Sequence, residues 1–320
     1  MAKTMLVTGA AGFVGSHLTD RLLHAGHAVI GVDNLAFGRQ AFLANAFQSA
    51  RFHFIHADLT QPEGCLAKLR AALAGSTLDM VWHLAANSDI PRGVADPSID
   101  LQHTFMTTFN TLKLMQALHA KKLVFASTSA IYGERRELLH EDSGPLFPIS
   151  NYGAMKLASE GCITAALESA LRQVWIFRFP NVVGSRASHG ALYDFFRKLA
   201  TSSAELEVLG DGSQEKPYLH VSELLDAMLL AVEKSQHKLN YFNIGQDGST
   251  STVRFLAEIV VQHVAPGARI RYTGGTKGWV GDVPCFRFSI EKIKALGWRP
   301  RLTSDASIEL AVRELVEGTR

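Results

Sequence analysis

Cysteine is scarce in this sequence: three in 320 residues, Cys65, Cys162 and Cys285, far apart and with no CxxC pair. That excludes a disulfide scaffold, argues against a cysteine-held metal and fits reduced thiols in a cytoplasmic protein. Histidine is more plentiful, at 13, but no HExxH motif occurs and no metal is expected. Charge is also sparse. Lys and Arg number 32 and Asp and Glu 30, 19% of the chain against the ~25% typical of soluble domains. A net charge of +2 sets up no field of one sign, so no nucleic-acid partner is expected and any anion must be held by a local device. No apolar run reaches the ~18–20 residues of a membrane span. The first residues carry no basic segment or cleavage site of a signal peptide, and no membrane partner is expected. Repeats and low-complexity tracts are missing too. What remains is 47% hydrophobic residues, enough for a large core, so the organisation has to be read from the order of elements.

Short apolar runs of buried-strand type stand at Met5 to Thr8, Ala28 to Val32, Phe52 to His56, Met80 to Leu84, Leu123 to Ala126 and Val174 to Arg178. Helical patterns lie between most of them, for example Phe13 to His24, Ser98 to Ala120 and Tyr152 to Leu171. Parallel strands need crossovers, and crossover helices cover both faces of the sheet, so this alternation predicts an α/β, doubly wound parallel (Rossmann) sheet. Beyond Phe179 the rhythm loosens into helices near Tyr193 to Ala200, Val221 to Glu233, Thr252 to His263 and Thr303 to Glu317, with short strands near Glu207 and Tyr241. The expected division is a cofactor domain over 1–180, completed by parts of 218–247, and a smaller substrate-binding α/β lobe over 181–320.

The first strand runs straight into Gly9-Ala10-Ala11-Gly12-Phe13-Val14-Gly15. Glycines at this spacing serve a tight strand-to-helix turn, close backbone approach to a pyrophosphate and close helix packing. The helix amino terminus then offers free N–H groups to the phosphates. A glycine-rich turn alone is weak evidence. Here Asp33 follows 18 residues after Gly15, at the end of the second strand, where a carboxylate accepts from ribose hydroxyls and repels a 2′-phosphate. The pattern points to NAD. Arg39 could in principle meet a phosphate but reads as a surface residue. Asp58-Leu59, after the third strand, either borders the adenine or caps a helix.

Tyr152 and Lys156 lie four apart, hence on one helix face. A phenol near pKa 10 is a poor base unless a neighbouring cation stabilises the phenolate. Such a pair is common on helix surfaces, but the fifth strand ends in Ser127-Thr128-Ser129, delivering hydroxyls to the sheet edge where ligands bind in these folds. Hydroxyl donor, phenolate base and lysine beside a nicotinamide would oxidise a secondary alcohol.

The whole series of motifs resembles the extended short-chain dehydrogenase/reductases, in particular NAD-dependent nucleotide-sugar epimerases of the UDP-glucose and UDP-glucuronate 4-epimerase kind. It comprises Gly9 to Gly15, Asp33-Asn34, Asp58, His83-Leu84-Ala85-Ala86, Ser127 to Gly133, Tyr152/Lys156 and Arg178-Phe179-Pro180-Asn181. It continues through Gly210 to Gln214, Tyr218 to Val221 and Lys292 to Pro300. The resemblance implies Thr128, Tyr152 and Lys156 as catalytic residues, with Ser127 beside them. It implies a cofactor site of Gly9, Gly12, Phe13, Val14, Gly15, Asp33, Asn34, Asp58, Leu59, Leu84, Ala85, Ala86 and Lys156. It further implies substrate contacts from Asn181, Lys216, Tyr218 and Asp282, and a homodimer paired through two helices. Ser88, Asp89 and Arg92 follow the fourth strand in a loop that would face the sugar. Arg92 would suit a carboxylate, although an exposed loop arginine is the commoner case.

Where 4,6-dehydratases of this family carry Asp-Glu after the Thr128 position, and decarboxylases a Glu two residues on, this chain has Ser129 and Ala130. The expected reaction is therefore C4 epimerisation of a UDP-hexose or UDP-hexuronate through a 4-keto intermediate, with NAD retained. The rivals are a 4-ketosugar reductase using the same three residues, a dehydratase or decarboxylase, and a non-catalytic dinucleotide-binding protein. On the substrate side the family's two phosphate-gripping arginines are replaced. Lys216 stands at one, giving charge without a bidentate fork, and Trp279 at the other with Lys277 nearby.

Overall fold

The computed structural model describes residues 2–135, 137–275, 278 and 286–318. Seven parallel strands form the central sheet. Their order across it is Leu239–Asn243, Gln173–Arg178, Lys122–Ala126, Met80–His83, Thr4–Thr8, Ala28–Asp33, Phe52–His56. The order reverses between Thr4–Thr8 and Met80–His83, and a crevice opens there at the carboxyl ends of the strands, where ligands bind in doubly wound sheets. The strands are apolar because both faces are covered. Val7, Trp82, Val124, Trp175 and Phe177 pack on one side, and Leu6, Val81, Leu123, Phe125 and Ile176 on the other, following the two-residue alternation of a strand.

Strand ends agree with the sequence reading to within a residue, and the helix Phe13–His24 agrees in full. The stretch expected as one helix over Ser98 to Ala120 is broken into Pro97–Asp100, a π-helical Leu101–Met106 and Thr107–Ala117. Threonine explains the break. Thr107, Thr108 and Thr111 turn their hydroxyls back onto the carbonyls of His103, Thr104 and Thr107, at 3.1, 3.1 and 2.7 Å, which competes with the regular ladder and widens the turn. The helix Asn151–Ala166 is started by Ser150, whose hydroxyl accepts from Gly153 N–H at 3.1 Å, and it ends short of the expected Leu171.

In the carboxyl-terminal part, the helices Ala191–Thr201, Val253–Val264 and Ser304–Glu317 enclose their own apolar cluster around Phe195, Leu206, Leu256 and Ile308. Strand Tyr218–His220 pairs in parallel with Asn181–Val183, which continues from the sheet strand Gln173–Arg178. This pairing carries the substrate-side candidates to the rim of the crevice.

Candidate active site

A continuous cleft of about 1490 Å³ runs along the carboxyl edge of the sheet and under the helix Ala191–Thr201. Its floor at one end is the glycine-rich turn. Gly9 has φ +70°, a Cβ there would sit 2.9 Å from Ala85 N, and one on Gly15 would sit 1.9 Å from Gly9 O. Only glycine permits the strand, the turn and the 84–86 segment to approach so closely. Gly12, Phe13 and Val14 complete this wall, facing Leu84, Ala85 and Ala86.

Asp33 is nearly buried at the end of its strand. Its carboxylate accepts from Ala11 N–H at 2.9 Å and Leu35 N–H at 2.8 Å, which fixes it at the cleft wall. Burial raises its pKa, and the two backbone donors oppose that. Asn34 donates to Asp58 at 3.3 Å, and Asp58 also accepts from Thr60 N–H at 2.8 Å, closing a turn; the next helix, Pro62–Leu73, starts at Gln61 with no side-chain cap, so Asp58 is not its cap and stands at the cleft wall instead. With Leu59 beside it, this end has the shape and donor set of an adenosine diphosphate cradle. The residues present fit NAD: a turn no side chain could occupy, a helix terminus for phosphates and a fixed carboxylate for a diol.

The other candidates meet midway along the cleft. Ser127 N–H donates to Phe177 O at 2.8 Å and Ser129 N–H to Phe179 O at 3.1 Å, so the ends of the two sheet strands continue side by side and bring Thr128 toward Asn181. Thr128 hydrogen-bonds the Tyr152 phenol. Lys156, only 2% exposed, donates to Ala126 O at 2.6 Å, and its ammonium lies 5.9 Å from the Tyr152 ring centroid and 4.7 Å from that of Phe125. Burial pulls the lysine down to about 7, while the charges of Glu160 and Asp100 pull the other way. Burial raises the Tyr152 phenol, the Thr128 hydrogen bond opposes it, and the Asp100 charge adds to the rise.

Ser88, Arg92, Lys216 and Tyr218 also line the cleft, the last two at the end away from Asp33. Arg92 does not stand free: its guanidinium lies 4.8 Å over the Phe37 ring. Asp89 caps a short helix through Arg92 N–H at 3.2 Å. Asp282, Trp279 and Lys277 lie outside the described residues. Among the described residues no group of three His, Cys, Asp or Glu side chains could hold a metal, and no helix is long and apolar enough to cross a membrane.

Three contributors escape the sequence reading. Glu160 accepts from Ser127 Oγ at 2.5 Å and forms a buried bidentate pair with Arg178 at 3.0 and 2.7 Å. Its position four residues after Lys156 was the available signal. Asp100 is fully buried, takes Asn87 Nδ2 at 2.8 Å, and fits only because Gly93 lacks a Cβ, which would sit 1.7 Å from its Oδ2. His83 appeared only as part of a motif. Its Nδ1 lies 2.7 Å from Thr8 Oγ1 and its Nε2 3.0 Å from Thr108 Oγ1, and burial drives its pKa to about 3, so it is neutral. Thr108 already gives its hydrogen to Thr104 O, so His83 carries its proton on Nε2 and accepts from Thr8 at Nδ1.

Known proteins resemble the chain over nearly all its length. A UDP-glucose 4-epimerase of Mycolicibacterium smegmatis is 32% identical over 302 residues, 93% of each chain. Among solved structures, a UDP-glucose 4-epimerase of Thermotoga maritima, determined with UDP-glucose, superposes with TM-score 0.86 at 28% identity, covering 99% of this chain and 100% of that one. A UDP-glucose 4-epimerase of Thermus thermophilus in complex with NAD superposes with TM-score 0.85 at 28% identity and the same coverage. With the model of that family matching residues 5–245, the protein built around this glycine turn and this Tyr-Lys pair belongs to the NAD dependent epimerase/dehydratase family.

Proposed function

We propose that the protein is an NAD-dependent nucleotide-sugar 4-epimerase acting on a UDP-hexose or UDP-hexuronate. The observation that carries this reading is the convergence of Thr128, Tyr152 and Lys156 in the same cleft as a glycine cradle fitted to NAD. The resemblance to UDP-glucose 4-epimerases supplies the sugar nucleotide. In this reading Tyr152 takes the proton of the sugar 4-hydroxyl, Thr128 holds that hydroxyl by hydrogen bond, and Lys156, cationic when protonated, lowers the cost of the phenolate. NAD, when bound, would supply the hydride acceptor for that oxidation and the hydride donor for its reversal. Ser129 and Ala130 offer no acid or base for dehydration or decarboxylation, so oxidation and its reversal are what the set can do.

Asn181, Lys216 and Tyr218 would meet the nucleotide end, in the carboxyl-terminal part that we take as the substrate-binding lobe. A homodimer and a cytoplasmic setting belong to the same proposal. The half-exposed Leu101 and Phe109, on the interrupted helical stretch, support the former, and the scarcity of cysteine, with Cys65 and Cys162 free among the described residues, the latter.

The test is to denature the purified protein and assay the supernatant for NAD, then to incubate the native protein with UDP-glucose and UDP-glucuronate without added cofactor. Released NAD and a 4-epimer in the chromatogram are expected. Absence of both, with turnover only on adding NAD(P)H, would establish the reductase instead.

A further inference from the structure

The segment Asn34 to Arg39 that follows Asp33 lies over the glycine-rich turn. Arg39 N–H donates to Ala11 O at 2.9 Å. A Cβ on Gly38 would sit 2.8 Å from Ala11 C and 2.9 Å from Asp33 Oδ1, so the segment is pressed against that turn. Leu35, with φ +58°, takes the left-handed turn that lets the chain double back. From there its side chains reach both walls of the cleft. Phe37 lies under the Arg92 guanidinium at 4.8 Å, a contact with the loop after the fourth strand. Arg39 Nη2 donates to the Tyr193 hydroxyl at 2.8 Å, 154 positions along the chain, on the helix that roofs the substrate end. Phe37, Arg92 and Tyr193 all line the cleft.

We propose that Phe37 and Arg39 make this segment a clasp, tied to Arg92 on one wall and to Tyr193 on the other, that holds the bound dinucleotide in the cleft between turnovers. The inference rests on the NAD reading above and extends it. A redox-neutral cycle gains from a cofactor that does not leave, and these ties join the segment after Asp33 to two other cleft-lining segments, those of Arg92 and Tyr193. Each is a modest exposed contact, so opening should be slowed and not prevented.

The experiment loads the full-length protein with radiolabelled NAD and follows its exchange against excess unlabelled NAD by filtration. Arg39→Ala and Tyr193→Phe should each speed release roughly threefold to tenfold, the size of one net hydrogen bond. The double variant should release no faster than Arg39→Ala alone, because both substitutions break the same tie. Arg39→Lys, which keeps a donor, should lie closer to the original rate, and Phe37→Leu should release faster than it. If Arg39→Ala and Tyr193→Phe both exchange at the original rate while the unsubstituted protein retains NAD and epimerises its substrate, the clasp is wrong and the function stands. A protein that never retains NAD overturns both.

Discussion

Tyr152 sits where its surroundings oppose ionisation, since burial and the Asp100 charge push the phenol up and only Thr128 helps it down. A base in such a place works only when cations gather beside it, and Lys156, 5.9 Å from the ring, is the cation the chain supplies. Removing the phenol oxygen should therefore end the chemistry and spare the cradle: Tyr152→Phe should lose roughly 10²- to 10⁴-fold in kcat and still release NAD on denaturation, both read on one preparation. Near-normal epimerisation by this variant would reassign the base. The Tyr-Lys pair was legible at this scale because four-residue spacing on a helix is local geometry. Asp100 was not, because the missing Cβ of Gly93 that admits it belongs to a different segment.

Elements meet at Glu160. Its carboxylate joins Ser127 at the end of one strand, Arg178 at the end of the next, and the helix that carries Tyr152 and Lys156. Arg178 extends the same tie, donating to the Tyr132 hydroxyl at 3.0 Å and to Glu141 O at 2.7 Å. Because the pair is buried, its loss costs more than its presence contributes, leaving the Arg178 charge without its counter-ion. Glu160→Gln is expected to lower stability by about 3–5 kcal/mol, measured from the urea midpoint. A shift no larger than that of an exposed glutamate would show that the tie does not hold the elements together. The interrupted helix after Pro97 teaches the same lesson in reverse: its apolar pattern reads as one continuous helix, and only the run of threonines, acting through i−3 and i−4 carbonyls, converts part of it to a π-helix.

Across the whole molecule, the carboxyl-terminal part is pinned to the cofactor side by ties beyond the clasp. Arg186 pairs with Asp20 at 2.8 Å, and His17 Nε2 lies 2.9 Å from Ser185 O, both reaching the helix that follows the glycine turn. Glu314 on the last helix accepts from Ser185 N–H at 2.7 Å and pairs with His220 at 3.4 Å. Burial would raise this carboxyl, but those partners hold it at about 2 against an ordinary 4.5. A depressed carboxylate stabilises the fold above its unfolded pKa and loses that contribution as pH falls toward the folded value. Glu314→Gln should therefore lower Tm at pH 7, and the gap from the unsubstituted protein should narrow as pH falls below about 4.5. A gap constant across that range would mean the charge is not what matters. By itself the sequence determined the parts ruled by local chemistry: the alternation of buried strands and helices, the glycine turn with its carboxylate, and the Tyr-Lys face. The tertiary structure decided what depends on partners far apart in the chain. It set His83 against Thr8, gave Glu160 its Arg178 and brought Arg39 to Tyr193, because a buried or bridging polar group takes its meaning from neighbours that only the folded chain brings within reach.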